Sequence, residues 1–379
     1  MDFTYDDEQT ALREAVRGLA TKAYGSFESR RQVVAKAPGF DEAQWTRLAE
    51  MGVLGLPFSE DDGGVAAGPV EIGLVCQELG RALAPEPFLA SVVHAGGLVA
   101  AAGSPEQRSD LLGRLAAGEI VLAAADTSPG DRWSADGSGV TAAQDGEAWT
   151  LTGVRDPVPH GARADHLVVT ASLPDGGTGL FVVEASAATR SDYAVIDGSR
   201  AARVELDATP AEPLGEPGRD LTTTIATISD ITRIMGAQQA LGVMQAQVAS
   251  TTDYLKSRKQ FGVTLNSFQA LTFRAADMYV SLELAHSVAD WATMIVGSGT
   301  RADIASAADR VGLQVSRAAR HIGQEAIQLH GGIAMTAEYS VGVRTAHLAV
   351  LEQWLGGAQH HLTRLAGTVT EHETVEALS

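Results

Sequence analysis

Along this chain of 379 residues the spacing of apolar side chains changes period twice, and that double change restricts the fold more than any other feature. Up to about Gly118 the period is helical. Asp41 is placed to cap a helix carrying Trp45, Leu48 and Ala49, which stops at Met51-Gly52. Ile72, Val75, Cys76 and Leu79 recur at helical spacing, and Ser104 is an N-cap for a helix from Pro105 to Ala117 with Leu111, Leu112 and Leu115 on one side. From Glu119 to about Gly218 the chain turns to glycine, proline and short β-rich runs. Trp149 to Thr152, His166 to Thr170, Leu180 to Val183 and Ala202 to Leu206 are predicted strands. From Leu221 onward helical spacing returns, with Ile225, Ile228, Ile231 and Met235 as one stripe and further helices over 270–296, 301–328 and 343–365. The fold class that follows is α+β: an N-terminal helical domain (1–118), a central antiparallel β domain (119–218) and a C-terminal four-helix bundle (219–379).

Composition excludes several functions. A net charge of −19 opposes a nucleic-acid surface or an anionic-membrane anchor, both of which need clustered cations. Cys76 is the only cysteine, so no intramolecular disulfide can form; its apolar surroundings suit a buried structural thiol. The N-terminus is acidic without an apolar h-region, and no apolar run reaches the ~18 residues of a membrane span, so a cytoplasmic location is expected. His330, His347, His360 and His361 show no metal-ligand spacing.

Two C-terminal segments carry the chemistry. One reads Arg258-Lys259-Gln260-Phe261-Gly262 with Phe268-Gln269 after it; the other reads Ile327-Gln328-Leu329-His330-Gly331-Gly332. With Leu48 to Leu56, Asp62-Gly63-Gly64, Glu78 to Arg81, Gly103 to Gln107 and Leu115 to Glu119, in that order, the whole chain resembles the acyl-CoA dehydrogenase family. The resemblance implies FAD at an interface between subunits. Arg258 would meet the pyrophosphate of a neighbouring subunit's FAD, for which a guanidinium fork is suited. Phe261 would pack on that cofactor, and Gln269 and Gln328 would supply amide donors and acceptors. Gly331 and Gly332 would let backbone approach its adenosine part.

The contacts to the subunit's own FAD match less well. Where the family carries Thr-Glu-Pro and then Gly-Ser-Asp, this chain has Thr127-Ser128-Pro129-Gly130-Asp131, and only Thr127 is retained. Where the family places a Trp-Ile-Thr or Trp-Ile-Ser strand against the flavin, the chain reads Pro157-Val158-Pro159, which offers two fewer backbone donors and should not sit inside a paired strand. The implied reaction removes an α-proton from an acyl thioester while hydride leaves the β-carbon, and it needs a carboxylate against the α-carbon. At the two positions where the family keeps that base the chain has Leu355-Gly356 and Thr232, so no catalytic residue is assigned. Glu352, one turn before Leu355, and Asp230, taken as a helix-start acid, are the nearby carboxylates.

The expectation is a subunit that completes the FAD site of an acyl-CoA dehydrogenase-like partner, in an α2β2 tetramer joined through the bundle helices. Enzymes of the family that pair subunits in this way include bacterial ones acting on bulky acyl-CoA thioesters such as steroid side-chain derivatives. A self-sufficient homotetrameric acyl-CoA dehydrogenase with a relocated base is the second reading, and a non-redox acyl-CoA-binding or scaffold protein the third.

Overall fold

The computed structural model describes residues 4–130, 133, 136–336 and 339–371. Asp131 lies outside the described residues. The N-terminal region holds helices α1 (Asp7–Tyr24), α2 (Phe27–Val34), α3 (Glu42–Glu50), α4 (Pro69–Ala82), α5 (Gly97–Ala102) and α6 (Pro105–Ala116). Ser104 caps α6 as its sequence predicts. Its hydroxyl accepts from the Gln107 N–H while the Gln107 side chain returns to the Ser104 N–H, which satisfies two orphan donors at once. Between α4 and α5 the chain forms a nine-residue π-helix, Phe88–Gly96, with every residue buried. That geometry is rare and concentrates at functional sites.

Seven strands follow: β1 (Leu122–Ala125), β2 (Val140–Asp145), β3 (Ala148–Pro159), β4 (His166–Ser172), β5 (Thr178–Glu184), β6 (Thr189–Ala194) and β7 (Arg200–Pro213). They form one sheet in the order β1-β4-β2-β3-β7-β5, with β6 on β7. The sheet is antiparallel apart from β1, which lies parallel to β4, and a single parallel bridge from β2 to β4. The β2–β3 hairpin serves as the crossover that a parallel pair requires. Pro157 and Pro159 correct the expectation about prolines, because both belong to β3. Pairing of β3 with β2 ends at Gly153, and on the β7 side the register slips between Arg155 and Val158. A bulge on a strand paired along one edge accommodates a residue without an N–H.

The C-terminal region contains α7 (Thr222–Ser257), a small hairpin of β8 (Lys259–Gln260) and β9 (Val263–Thr264), then α8 (Gln269–Ser298), α9 (Arg301–His330), α10 (Ser340–Leu355) and α11 (Ala358–Gly367). The single helix expected over 343–365 is in fact two. Gly356 at φ +105° stops α10, and Gly357 caps α11. Helix α4 crosses α7 at glycines: a Cβ on Gly242 would overlap the Gln77 carbonyl, and one on Gly80 the Gln239 carbonyl. This backbone-to-backbone approach lets one apolar core run from α1 through the bundle, while the sheet keeps a second core around Leu151, Leu167 and Phe181.

Candidate functional site

The three regions meet at a half-open cavity of about 340 Å³. Its walls come from α4 and the π-helix (Leu79, Phe88, Leu89), from the end of β3 (Pro157, Pro159), and from α10 (Val350, Trp354). Thr127, Trp133 and Trp354 also border an adjoining cleft of about 40 Å³. Into that cleft fall both positions where the resemblance places a base, Thr232 and Leu355. Neither can act as one. The Thr232 hydroxyl donates to the Ile228 carbonyl at 2.8 Å, a bond within its own helix. Leu355 packs into the notch at Gly236, where any Cβ would strike its side chain.

The neighbouring acids are placed otherwise than expected. Asp230 is nine residues into α7, buried, and bound to Arg233 at 2.6 Å, so it is not a helix-start charge. Burial raises its pKa against the pull of Arg233 and Arg364. Glu352 borders a separate small cavity with Val315 and Gly356. Among the described residues the cleft contains one carboxylate that sequence reasoning missed, Asp126, with His94 Nε2 3.1 Å away but off the line for a good hydrogen bond. Burial opposes charge on Asp126. His94 and the buried Arg155 outweigh it and hold the carboxyl below its usual range. An anion stabilised in this way has little affinity for a proton. The one signal for it was an acid directly before Thr127; His94 lay unmarked in an apolar run and is aimed here by the π-helix.

The remaining candidates gather on the outside of the bundle. Arg258 follows the last turn of α7, exposed and without an ion-pair partner among the described residues. Its carbonyl accepts from the Leu265 N–H at 2.9 Å, closing the β8–β9 hairpin. At the tip Phe261 is 90 % exposed, at φ +54°, with its ring edge-on to Phe268 at 6.1 Å. Gln269 opens α8 and is exposed. Gln328 is exposed in the last turn of α9, and Gly331 and Gly332 form the exposed turn after it. Tyr254, one turn before Arg258, stacks on buried His330 at 4.5 Å, and His330 also contacts Tyr339 at 5.3 Å. This aromatic stack pins the ends of α7 and α9 together, so the two sequence segments share one end of the bundle. Thr127 lies apart from them, at the interior junction.

The exterior group fits a dianionic cofactor with an aromatic base, such as FAD, approaching from outside. It offers an unpaired guanidinium, an exposed ring and a glycine turn where an added Cβ would meet nothing of this chain within 4 Å. The interior fits FAD only in part: Thr127 borders the cavity, but Pro157 and Pro159 present no N–H there. Among the described residues no cluster of His, Cys, Asp or Glu could hold a metal, and no helix is long and apolar enough to cross a membrane.

One wall of the large cavity is polar. Glu86 lies buried between Pro85 and Pro87, accepts from the Tyr24 hydroxyl, and is pushed by burial up to about 7. A carboxyl whose folded-state pKa exceeds its unfolded value favours folding below about pH 4.5, and that contribution is lost as pH rises through 7. Wild-type stability should therefore fall by up to ~3 kcal/mol between pH 5 and 8 through this group. Glu86→Gln is expected to flatten that slope in denaturant titrations, and equal slopes in both proteins would remove Glu86 as its source.

Comparison with known proteins bears on the family and the fold. The family described as "Acyl-CoA dehydrogenase, N-terminal domain" matches residues 6–119, and "Acyl-CoA dehydrogenase, C-terminal domain" matches 222–369. The chain is 31% identical to the acyl-CoA dehydrogenase IpdE2 of Mycobacterium tuberculosis over 97% of this chain and 99% of that one. It is 28% identical to FadE27 of the same organism over 98% and 99%. Among solved structures it superposes on a chain of the Tcur3481-Tcur3483 steroid ACAD at TM-score 0.86, with 30% identity over 96% and 98% of the two chains. On a chain of the ChsE4-ChsE5 complex of Mycobacterium tuberculosis the TM-score is 0.89, with 26% identity over 99% and 100%.

Proposed function

This chain belongs to the acyl-CoA dehydrogenase family, and we propose that within it the chain is the subunit that completes a partner's FAD site rather than the one that removes the proton. The family supports FAD-dependent dehydrogenation of acyl-CoA thioesters in general, and the placement within an α2β2 assembly is our reading. One contrast carries it. Arg258, Phe261, Gln328, Gly331 and Gly332 stand on the outside of the bundle, while both interior base positions hold non-acidic residues engaged within their own chain. Relatives solved as pairs, Tcur3481-Tcur3483 and ChsE4-ChsE5, support such an assembly. A cytoplasmic location and a steroid-like or fatty acyl group belong to the same proposal.

Bound FAD would supply the hydride acceptor. This chain's part would be to hold it: Arg258 neutralises phosphate charge, Phe261 covers an aromatic face, and the Gly331-Gly332 turn admits backbone approach. Gln269 and Gln328 offer amides at the rim of that surface. The partner's carboxylate would take the α-proton.

Arg258→Ala tests the assignment. Charge-assisted hydrogen bonds contribute about 1.5–3 kcal/mol each, so the assembled complex should bind FAD roughly one to two orders of magnitude more weakly. Thermal unfolding of the chain should hardly move, because Arg258 is exposed beyond the end of α7. Unchanged FAD stoichiometry and affinity in the variant complex would remove the role. The second reading, a self-sufficient enzyme, gains one specific observation in Asp126, the only carboxylate among the described residues that lines the cleft shared with Thr232 and Leu355.

A further inference from the structure

A second recess, of about 150 Å³, opens where the start of α1 meets α4, α7 and α8. Among the described residues it shares no lining side chain with the large cavity. Helix α7 turns Gln239 toward the large cavity and Gln238 toward this recess. Helix α4 divides in the same way, with Cys76 and Leu79 on one side and Gly73 and Leu74 on the other. Gly73 leaves room for the Gln238 side chain, since a Cβ there would stand 3.3 Å from Gln238 Cγ.

Hydrogen bonding around this recess is one-sided. Gln238, 4 % exposed, donates from Nε2 to Asp290 Oδ1 at 3.1 Å and to Thr293 Oγ1 at 3.0 Å. A carboxylate only accepts, so Asp290 fixes which end of the amide is nitrogen. Gln238 Oε1 is then left without a partner among the described residues, and it keeps accessible surface, unlike the closed-off unpartnered atoms of the interior. The Thr293 hydroxyl gives its hydrogen to the Ala289 carbonyl at 2.9 Å, and Gln9 Nε2 donates to Glu71 at 2.8 Å. The donors are thus engaged, and the groups left over are acceptors: Gln238 Oε1, the Asp290 carboxylate and the Tyr5 oxygen. Charge points the same way. Among the described residues no Lys, Arg or His lines the recess, and the one ion-pair partner of Asp290 is the partly exposed His286, whose Nε2 is 3.2 Å from Oδ2. Arg13 lies over the Tyr5 ring at 5.3 Å, but burial and then the Asp290 charge outweigh it and push the phenol up to about 12, so it stays neutral.

We infer that this recess is a binding site for a short primary alkylammonium, whose N–H donors meet Gln238 Oε1, Asp290 and Tyr5 while its chain covers Val70, Leu74 and Met294. An ammonium carries three donors and no acceptor, which is the complement of the polar groups left here. A buried carbonyl without a partner costs stability, and a ligand that supplies a donor removes that cost. A cavity near 150 Å³ takes a molecule of benzene size, so a chain of about four carbons fills it. The apolar wall favours such a chain over a bare inorganic cation. The inference depends neither on flavin nor on the acyl-CoA reading. A free amine and a lysine side chain present the same chemistry, and the test separates them.

The test is calorimetric titration of the full chain, at constant ionic strength, with n-butylammonium, methylammonium, n-butanol and butyrate. Butylammonium should bind at least about tenfold more tightly than butanol or butyrate, because its hydrogen bonds are charge-assisted. It should also exceed methylammonium by about tenfold, since the shorter ion leaves the apolar wall uncovered. Asp290→Asn keeps the shape of the site and should weaken butylammonium about tenfold with butanol unchanged. Gln238→Met removes the carbonyl at similar length and should weaken it about three- to tenfold. Gln238 is buried, so its variant is compared only where thermal unfolding matches the wild type; partly exposed Asp290 supplies the check that does not depend on it. Nα-acetyl-lysine amide identifies the source: affinity equal to butylammonium marks a lysine side chain as the occupant, and weaker binding a free amine. Equal wild-type affinities for butylammonium and butanol, a folded Asp290→Asn chain that binds the amine as tightly as the wild type, or no uptake of the amine would each overturn the inference.

Discussion

Turnover of an acyl-CoA by this polypeptide alone is expected to be at least ~10²–10⁴-fold slower than turnover by the complex it completes, the range that general-base assistance typically supplies. The reason is local. Thr232 spends its hydroxyl on the Ile228 carbonyl, Leu355 fills the notch at Gly236, and Asp126 is held as a stabilised anion by His94 and Arg155. Dye reduction with octanoyl-CoA, measured on the chain alone and with its partner, checks this directly. In the complex, Asp126→Asn and Glu352→Gln should leave the rate within about threefold, whereas removing the partner's carboxylate should abolish it. Asp230→Asn should likewise spare the chemistry, although losing the buried pair with Arg233 should cost stability. If the isolated chain reduces the dye and Asp126→Asn stops it, the relocated-base reading replaces the partner-completing one.

Gly242→Ala should destabilise the folded chain by about 2–3 kcal/mol, even though alanine is the better helix former by ~1 kcal/mol. The added Cβ would overlap the Gln77 carbonyl oxygen and lie 2.8 Å from the Arg81 nitrogen, and all of these are backbone atoms of α4. No rotamer change can relieve that contact, so α4 and α7 must separate along a crossing that Gly80 and Gln239 complete from the other side. Chemical denaturation should show a lower midpoint with an unchanged slope. A variant as stable as the wild type would show that the two helices do not pack at this distance in solution.

Much of this architecture could be read before any coordinates were known. The change of period at both ends of the β-rich segment, the Ser104 cap on α6 and the missing acids at Thr232 and Leu355 are each properties of a few adjacent residues. A helix cap or a period of 3.6 is decided within one or two turns, so neighbours along the chain suffice to set it. The helix over 343–365 failed for the same reason in reverse: the apolar spacing runs on across Gly356-Gly357, while the positive φ that breaks it was not visible in the pattern.

Relations between residues far apart in the chain could not be read in this way. Proline seemed excluded from β3 because its tolerance depends on which edge of the strand is paired, and that is a property of β2 and β7. Asp126 and His94 are 32 positions apart and meet only because a π-helix turns one toward the end of the strand that carries the other. The stack of Tyr254 on His330 unites the two cofactor-type segments at one end of the bundle. Residue type sets what each side chain can donate, accept or bury, but whether its partner stands within 3 Å depends on packing of the whole chain, and there only the tertiary structure decides.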